Sequence, residues 1–256
     1  MPSRGLMFSE TFEELLNELD GIEHEIYWSH EKSLPECFND PTDLALADPE
    51  VFAVLICEDD MIIPEGILQK MFKKNYPVVA LDYPFKANGD STMLHDPHGD
   101  VYWSGTGFLL VAADVLRQME RPIWRTDTAW DTFIGPNTLY FWPRKLNKVA
   151  YGLHDVNFGM TLYSAGLPIK TVVKAAGQRK LVALGDKYTN NGVHEIKELT
   201  KVGRDLVIKT IDPVAIDKFR GAMNRVQNVE IMDHIPDWIK YVDGQAVLKE
   251  GEYETV

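Results

Sequence analysis

Residues 51–57, VFAVLIC, form an unbroken apolar run of strand length that stops at three consecutive carboxylates, Glu58, Asp59 and Asp60. A strand without polar alternation is covered on both faces, the condition of a strand inside an α/β sheet. The later runs keep that rhythm. Pro64 suits the first turn of a helix carrying Ile67, Leu68, Met71 and Phe72 inward. PVVALDY (77–83) and GFLLV (107–111) read as strands, a helix is expected around 112–120, and another runs from near Asp155 to Gly166 before a strand PIKTVV (168–173). Upstream, RGLMF (4–8) and HEIYWS (24–29) are strand candidates. Between them Phe12, Leu15, Leu16 and Leu19 fall at helical spacing, with Thr11 and Glu14 placed as a capping box. Strands alternating with helices predict a mostly parallel sheet flanked by helices, with ligands at the carboxyl ends of the strands. The acidic triplet falls at such an end.

The net charge of −13 is unevenly placed. Residues 1–60 hold 16 acidic groups against only Arg4 and Lys32, and the remainder is close to neutral. Such a field makes plain duplex DNA an unlikely partner, and no Lys/Arg cluster argues the other way. No apolar run approaches the ~20 residues of a membrane helix, and MPSRGLMFSE has no signal-peptide apolar core. Cys37 and Cys57 make neither a disulfide framework nor a zinc pattern. These features together predict a cytoplasmic protein without a membrane span.

On its own the triplet reads either as a solvated loop capping a helix or as oxygen ligands for a hard divalent cation. Its setting is more specific. A buried strand, then acid-x-acid, an apolar residue, a proline and an amphipathic helix resembles the DxD region of GT-A glycosyltransferases, particularly family-2-like ones. Glu58 takes the place of the first acid, a departure from Asp, and Asp60 that of the second. The resemblance implies that Asp60 and Glu58 bind Mn²⁺ or Mg²⁺, which holds the diphosphate of a nucleotide-sugar, with Asp59 beside the donor.

Two later stretches resemble the same family in the same order. YWSGTGFLLVAADVL (102–116) is similar to the small-residue turn and strand that closes the sugar pocket. There Gly105 and Gly107 either let backbone approach the donor sugar or simply make a tight turn, and Trp103 is placed to stack on a sugar ring. GLHDVNFGMTLYSAGLPI (152–169) looks like the xED segment. His154 stands where Glu is common, on the acceptor side, and Asp155 aligns with the catalytic acid. Asp155 reads equally as a helix N-cap, and both roles are compatible. His194, in YTNNGVHEI (188–196), is a candidate third metal ligand or a surface histidine. Ser9, in the first βα turn, and Asp82, at a strand end, are donor-contact candidates whose bland alternatives are a helix cap and a structural turn. Residues 122–145 carry Trp124, Trp130, Trp142, Tyr140 and Phe141 without clear periodicity. They cover a core edge, stack on an acceptor, or both, with Trp130 and Trp142 as the acceptor-side candidates.

The resemblance implies a GT-A-like, Rossmann-type sandwich over residues 1–200 as the nucleotide-sugar-binding catalytic domain. Residues 201–256 are an α+β extension: a strand RDLVIKTI, a helix near 213–226 and a hairpin YVDGQAVL (241–248) turning on Asp-Gly. The activity implied is metal-dependent, inverting glycosyl transfer from a nucleotide diphosphate-sugar, a UDP-sugar being favoured, to a glycan, protein or modified-base acceptor. Two alternatives stand beside it. A sugar-phosphate nucleotidyltransferase shares the architecture but opens with a glycine-rich basic loop, whereas MFSETFEELL is acidic and free of glycine. A non-catalytic nucleotide-sugar-binding protein would keep the pocket without turnover.

Overall fold

The structure, a computed structural model, describes residues 9–29, 33–83, 92–96, 98–147, 153–173, 177–178, 226–242 and 245–249. The elements in chain order begin with α1 (Ser9–Leu19), α2 (Leu34–Leu46), β1 (Ala53–Cys57), β2 (Met61–Ile62), α3 (Ile67–Lys73) and β3 (Val78–Asp82). They continue with β4 (Leu94–His95), β5 (Val101–Trp103), β6 (Phe108–Ala112), α4 (Ala113–Gln118), β7 (Thr128–Ile134), β8 (Thr138–Lys145) and α5 (His154–Ser164). The last are β9 (Lys170–Val173), β10 (Gly177–Gln178), β11 (Asn228–Ile231), β12 (Ile239–Val242) and β13 (Gln245–Leu248).

The central sheet has the order β1-β6-β3-β9. Its two central strands, β3 and β6, are buried on both faces because neighbouring residues serve opposite cores. Val78 and Ala80 of β3, with Leu109 and Val111 of β6, face a cluster holding Phe38 of α2, Leu116 of α4 and Phe158 and Leu162 of α5. Val79 and Leu81, with Phe108 and Leu110, face Leu15 and Leu19 of α1 and Ile67, Leu68 and Met71 of α3. The result is a mixed α/β sandwich with helices on both sides of the sheet.

The expected mostly parallel pairing is corrected. β6 runs antiparallel to both β1 and β3, and only β3 with β9 is parallel. Helix α3 crosses between β1 and β3, so these two point the same way. Between β3 and β6 the described residues hold the short antiparallel pair β4–β5 and no helix, and a return without a crossover helix reverses direction.

Several local expectations also shift. Residues 24–28 form no strand, Trp28 packing on Phe12 with ring centroids 5.5 Å apart. Helix α3 starts at Ile67 behind Gly66, whose φ of 69° is left-handed, so Pro64 precedes the helix and Phe72 is partly exposed. Thr11 and Glu14 form no capping box, since both lie inside α1 and reach across to the segment after the triplet. Residues 4–8 and 201–225 lie outside the described residues.

A second sheet, β11-β8-β7, sits against α5 and β5 through Tyr102, Leu139, Phe141 and Met160. Residues 122–145 thus contain an antiparallel hairpin, Thr128 pairing with Lys145 through to Ile134 with Leu139. The 241–248 hairpin is present as β12–β13, Val242 opposite Gln245. Of the C-terminal strands β11 joins this sheet, pairing parallel with β8, while β12–β13 stays a separate two-stranded ribbon and Trp238 meets the rings of Phe133 and Tyr140 edge-on.

Candidate active site

The site lies at the end of the central sheet where β1 and β3 finish and β6 begins. Its floor is the bend after β1. The Glu58 N–H donates to Gly107 O at 2.9 Å, which ties the bend to the start of β6. Asp59 and Asp60 are buried and Glu58 is half-buried. One face of α1 clamps the segment beyond the triplet: the Thr11 hydroxyl donates to Met61 O at 2.7 Å, and the Ile63 N–H donates to Glu14 Oε2 at 2.9 Å. The Leu68 N–H donates to Glu18 Oε2 at 2.8 Å, and Gly66 N–H to the other oxygen of that carboxylate. Part of the acidity of the N-terminal third therefore caps α3 and secures the backbone beyond the triplet. On the other side β10 pairs with β2, Gln178 opposite Met61.

The wall is the turn from β5 to β6. The space beside its two glycines is filled by the protein itself. A Cβ on Gly107 would fall 2.6 Å from both the sulfur of Met61 and the hydroxyl of Tyr83, and one on Gly105 would meet the same hydroxyl. Tyr83 is buried, its pKa raised by burial and by the charges of Glu58 and Asp155, and its oxygen accepts the Gly107 N–H at 3.0 Å. The glycines make room for Tyr83. Between them, Thr106 donates to Glu58 Oε1 at 2.9 Å and lies 3.2 Å from His154 Nε2.

The third part is the start of α5. Leu153 is the N-cap and Asp155 lies in the first turn, one Oδ accepting the Val156 N–H at 2.8 Å, so the N-cap role is corrected. Burial first, and then the charge of Glu58, pushes the Asp155 carboxyl up to about 7. His154 is buried with its ring 4.4 Å from that of Phe38, and burial pushes its pKa down to about 4, so it is neutral. Two residues fix the helix that carries them. Gly159 lets α5 lie directly on β5, where a Cβ would come 2.5 Å from Trp103 Cα. Buried Asn157 donates to the carbonyls of Arg125 and Thr128 at 2.8 and 2.9 Å and accepts the Trp130 indole N–H at 3.1 Å.

The structure thus brings Glu58, Asp59, Asp60, Gly105, Gly107, His154 and Asp155 to one end of the sheet. Asp82 is half-buried at the end of β3. Trp103 is half-buried with its edge to Phe141. Ser9 is exposed at the start of α1, its hydroxyl donating to the neighbouring Glu10 at 3.2 Å. Trp130 is half-buried and spends its N–H on Asn157. Trp142 is wholly buried, its N–H 2.9 Å from the Tyr241 hydroxyl, which in turn bonds Asp131. His194 lies outside the described residues. Sequence reasoning does not reach Tyr83, Thr106, Asn157 and Gly159. Of these only Gly159 carries a usable sign, a glycine inside a helical pattern marking a close approach.

The donor set suits a hard cation in one respect. Mg²⁺ commonly keeps only one or two carboxylates and completes its shell with water and substrate phosphate, and Glu58 and Asp60 flank one bend. Among the described residues no group of three or more His, Cys, Asp or Glu is gathered for a metal. No described helix is long and apolar enough to cross a membrane.

No protein-family profile matches the chain, and no curated protein matches it. Among solved structures, it aligns with the crystal structure of A197 from STIV at 16% identity, covering 68% of this chain and 79% of that one, with a TM-score of 0.42. A likeness of that size establishes neither fold nor function, and the functional reading stands on the residues.

Proposed function

We propose that the protein is a GT-A-like glycosyltransferase that moves a sugar from a nucleoside diphosphate-sugar to an acceptor hydroxyl with inversion, Asp155 acting as general base. The observation that carries this reading is the placement of Asp155 at the same end of the sheet as the Glu58–Asp60 bend, where burial first and the charge of Glu58 next push its carboxyl up to about 7. A base is most effective when its pKa lies near the working pH.

In that reading the acceptor hydroxyl gives its proton to an Asp155 Oδ as its oxygen bonds to the anomeric carbon. The bond from that carbon to the diphosphate oxygen breaks, and the electron pair leaves with the nucleoside diphosphate. Glu58 and Asp60 would hold Mn²⁺ or Mg²⁺, which supplies charge stabilisation for the departing diphosphate. Thr106 and the Gly107 carbonyl steady Glu58, the α1 carboxylates steady the backbone beyond Asp60, and Gly159 and Asn157 hold Asp155 in place. Favoured donors are UDP-sugars; the acceptor class is a glycan, a protein or a modified base.

The test is turnover, donor affinity and melting temperature measured on Asp155→Asn. The expected result is normal folding and donor binding with transfer reduced by about 10²–10⁴-fold, the worth of a positioned base. Full turnover in that variant would refute the assignment.

A further inference from the structure

The Thr106 hydroxyl bridges two groups drawn from distant segments. It lies 2.9 Å from Glu58 Oε1 and 3.2 Å from His154 Nε2, and it is buried. A hydroxyl has one proton to give, and an ionised carboxylate only accepts. Thr106 therefore donates to Glu58 and accepts from His154, which fixes the imidazole as the tautomer protonated on Nε2. Nδ1 is left as a bare acceptor, and among the described residues it is buried without a hydrogen-bond partner. An unmet buried nitrogen is unfavourable. Phe38 at 4.4 Å and Trp124 at 6.4 Å nevertheless hold the ring where only its other nitrogen is used.

We infer that Thr106 and His154 are positioning residues: His154 orients the Thr106 hydroxyl, and that hydroxyl fixes the Glu58 carboxylate toward the donor side of the site. The inference rests on the transferase reading and deepens it. It also gives a reason for the imidazole at 154. An ionised Glu in that place only accepts, so the Thr106 proton would be divided between two carboxylates. A neutral imidazole supplies the donor and leaves the hydroxyl proton to Glu58 alone.

The experiment is calorimetric titration of UDP, GDP and TDP, each with Mn²⁺ and each with EDTA, into the full chain. In Thr106→Val the metal-dependent affinity for the best-binding nucleotide should fall by about tenfold or more, the scale of one lost hydrogen bond to a charged group. Thr106→Ser keeps the hydroxyl and should stay within about threefold of the parent. In a Glu58→Ala background Thr106→Val should add almost nothing, because a residue acting through Glu58 has nothing left to act on. His154→Leu should lose affinity in the same direction and His154→Gln, which retains a donor, should recover it; this pair serves if Thr106→Val melts prematurely. Unchanged affinity in Thr106→Val, equal losses in Val and Ser variants, or full additivity with Glu58→Ala would each overturn the inference alone. Failure of the parent to bind any of the three nucleotides with Mn²⁺ would overturn the transferase reading and this inference with it.

Discussion

At the scale of single residues, Asp155 makes a prediction with a definite sign. Its carboxyl rises from the ordinary 3.8 to about 7 through burial, so the native state holds the proton more tightly than the unfolded chain. Stability contributed by that proton is complete below the ordinary value, is lost as pH climbs to about 7, and then levels off. The parent protein should therefore melt progressively lower relative to Asp155→Asn as pH rises from about 4 to about 8, and transfer should rise over the upper part of that range. Scanning calorimetry across pH on the two proteins checks the first, a pH–rate profile the second. Gly107→Ala is a second residue-scale case: with Met61 and Tyr83 both 2.6 Å from the new Cβ, overpacking should cost about 1–3 kcal/mol in a denaturation measurement. Asp155 and Gly107 are both visible in the sequence, Asp155 as the aligned catalytic acid or a helix cap and Gly107 as a sugar approach or a tight turn, but what each one meets is not. Their partners, Glu58 and Tyr83, come from other segments, and no local pattern reports a contact across such separations.

At the scale of elements, α1 does more than cover the sheet. Glu18 accepts two backbone N–H groups at the entry to α3, so Glu18→Ala should destabilise by about 0.5–2 kcal/mol, as the loss of a cap does. It should also raise hydrogen-exchange rates in residues 63–70 before those in β3. The helix itself is readable from Phe12, Leu15 and Leu19, but its outward carboxylates look like a solvated face, because periodicity shows which side is apolar and not what the polar side touches. Helix α2 is absent from the sequence reading although Ser33-Leu34-Pro35-Glu36 is a capping box with an early proline, and the Ser33 N–H does donate to Glu36 at 3.0 Å. The β7–β8 hairpin escapes for another reason. Its strands place Trp and Thr on both faces, since one face meets α5 and the other carries Trp142 and ion pairs such as Arg144 with Asp131 at 2.6 Å. Gly135-Pro136-Asn137 is the available turn mark. Gly159→Ala should lift α5 from β5 and cost about 1–3 kcal/mol, with a larger fall in transfer than in donor binding.

At the scale of the molecule, the alternation of strands and helices correctly announces a mixed α/β architecture. The direction of β6 is not legible, because a strand's apolar pattern is the same read from either end and only the connection fixes its sense. The charge distribution, by contrast, is read from the sequence alone and makes a prediction of its own. With 16 acids in the first 60 residues, affinity for plain duplex DNA at physiological salt should be weak, and fluorescence anisotropy should show little binding.

The pairing of β11 with β8 has a consequence in time. Residues 228–231 cover an edge made of residues 138–141, so a chain growing on the ribosome completes the β7–β8 hairpin long before its covering strand exists. At synthesis rates of about 5–20 residues per second, Phe133 and Tyr140 wait several seconds for Trp238, and Trp142 waits as long for Tyr241. The nascent chain passes through a stage with an open, aromatic-lined strand edge, the kind of surface that chaperones bind and aggregates recruit. Ending the chain after residue 225 would make that stage permanent. Such a truncation should bind hydrophobic dyes and sediment as oligomers even though every residue of the proposed active site that the structure describes is still present.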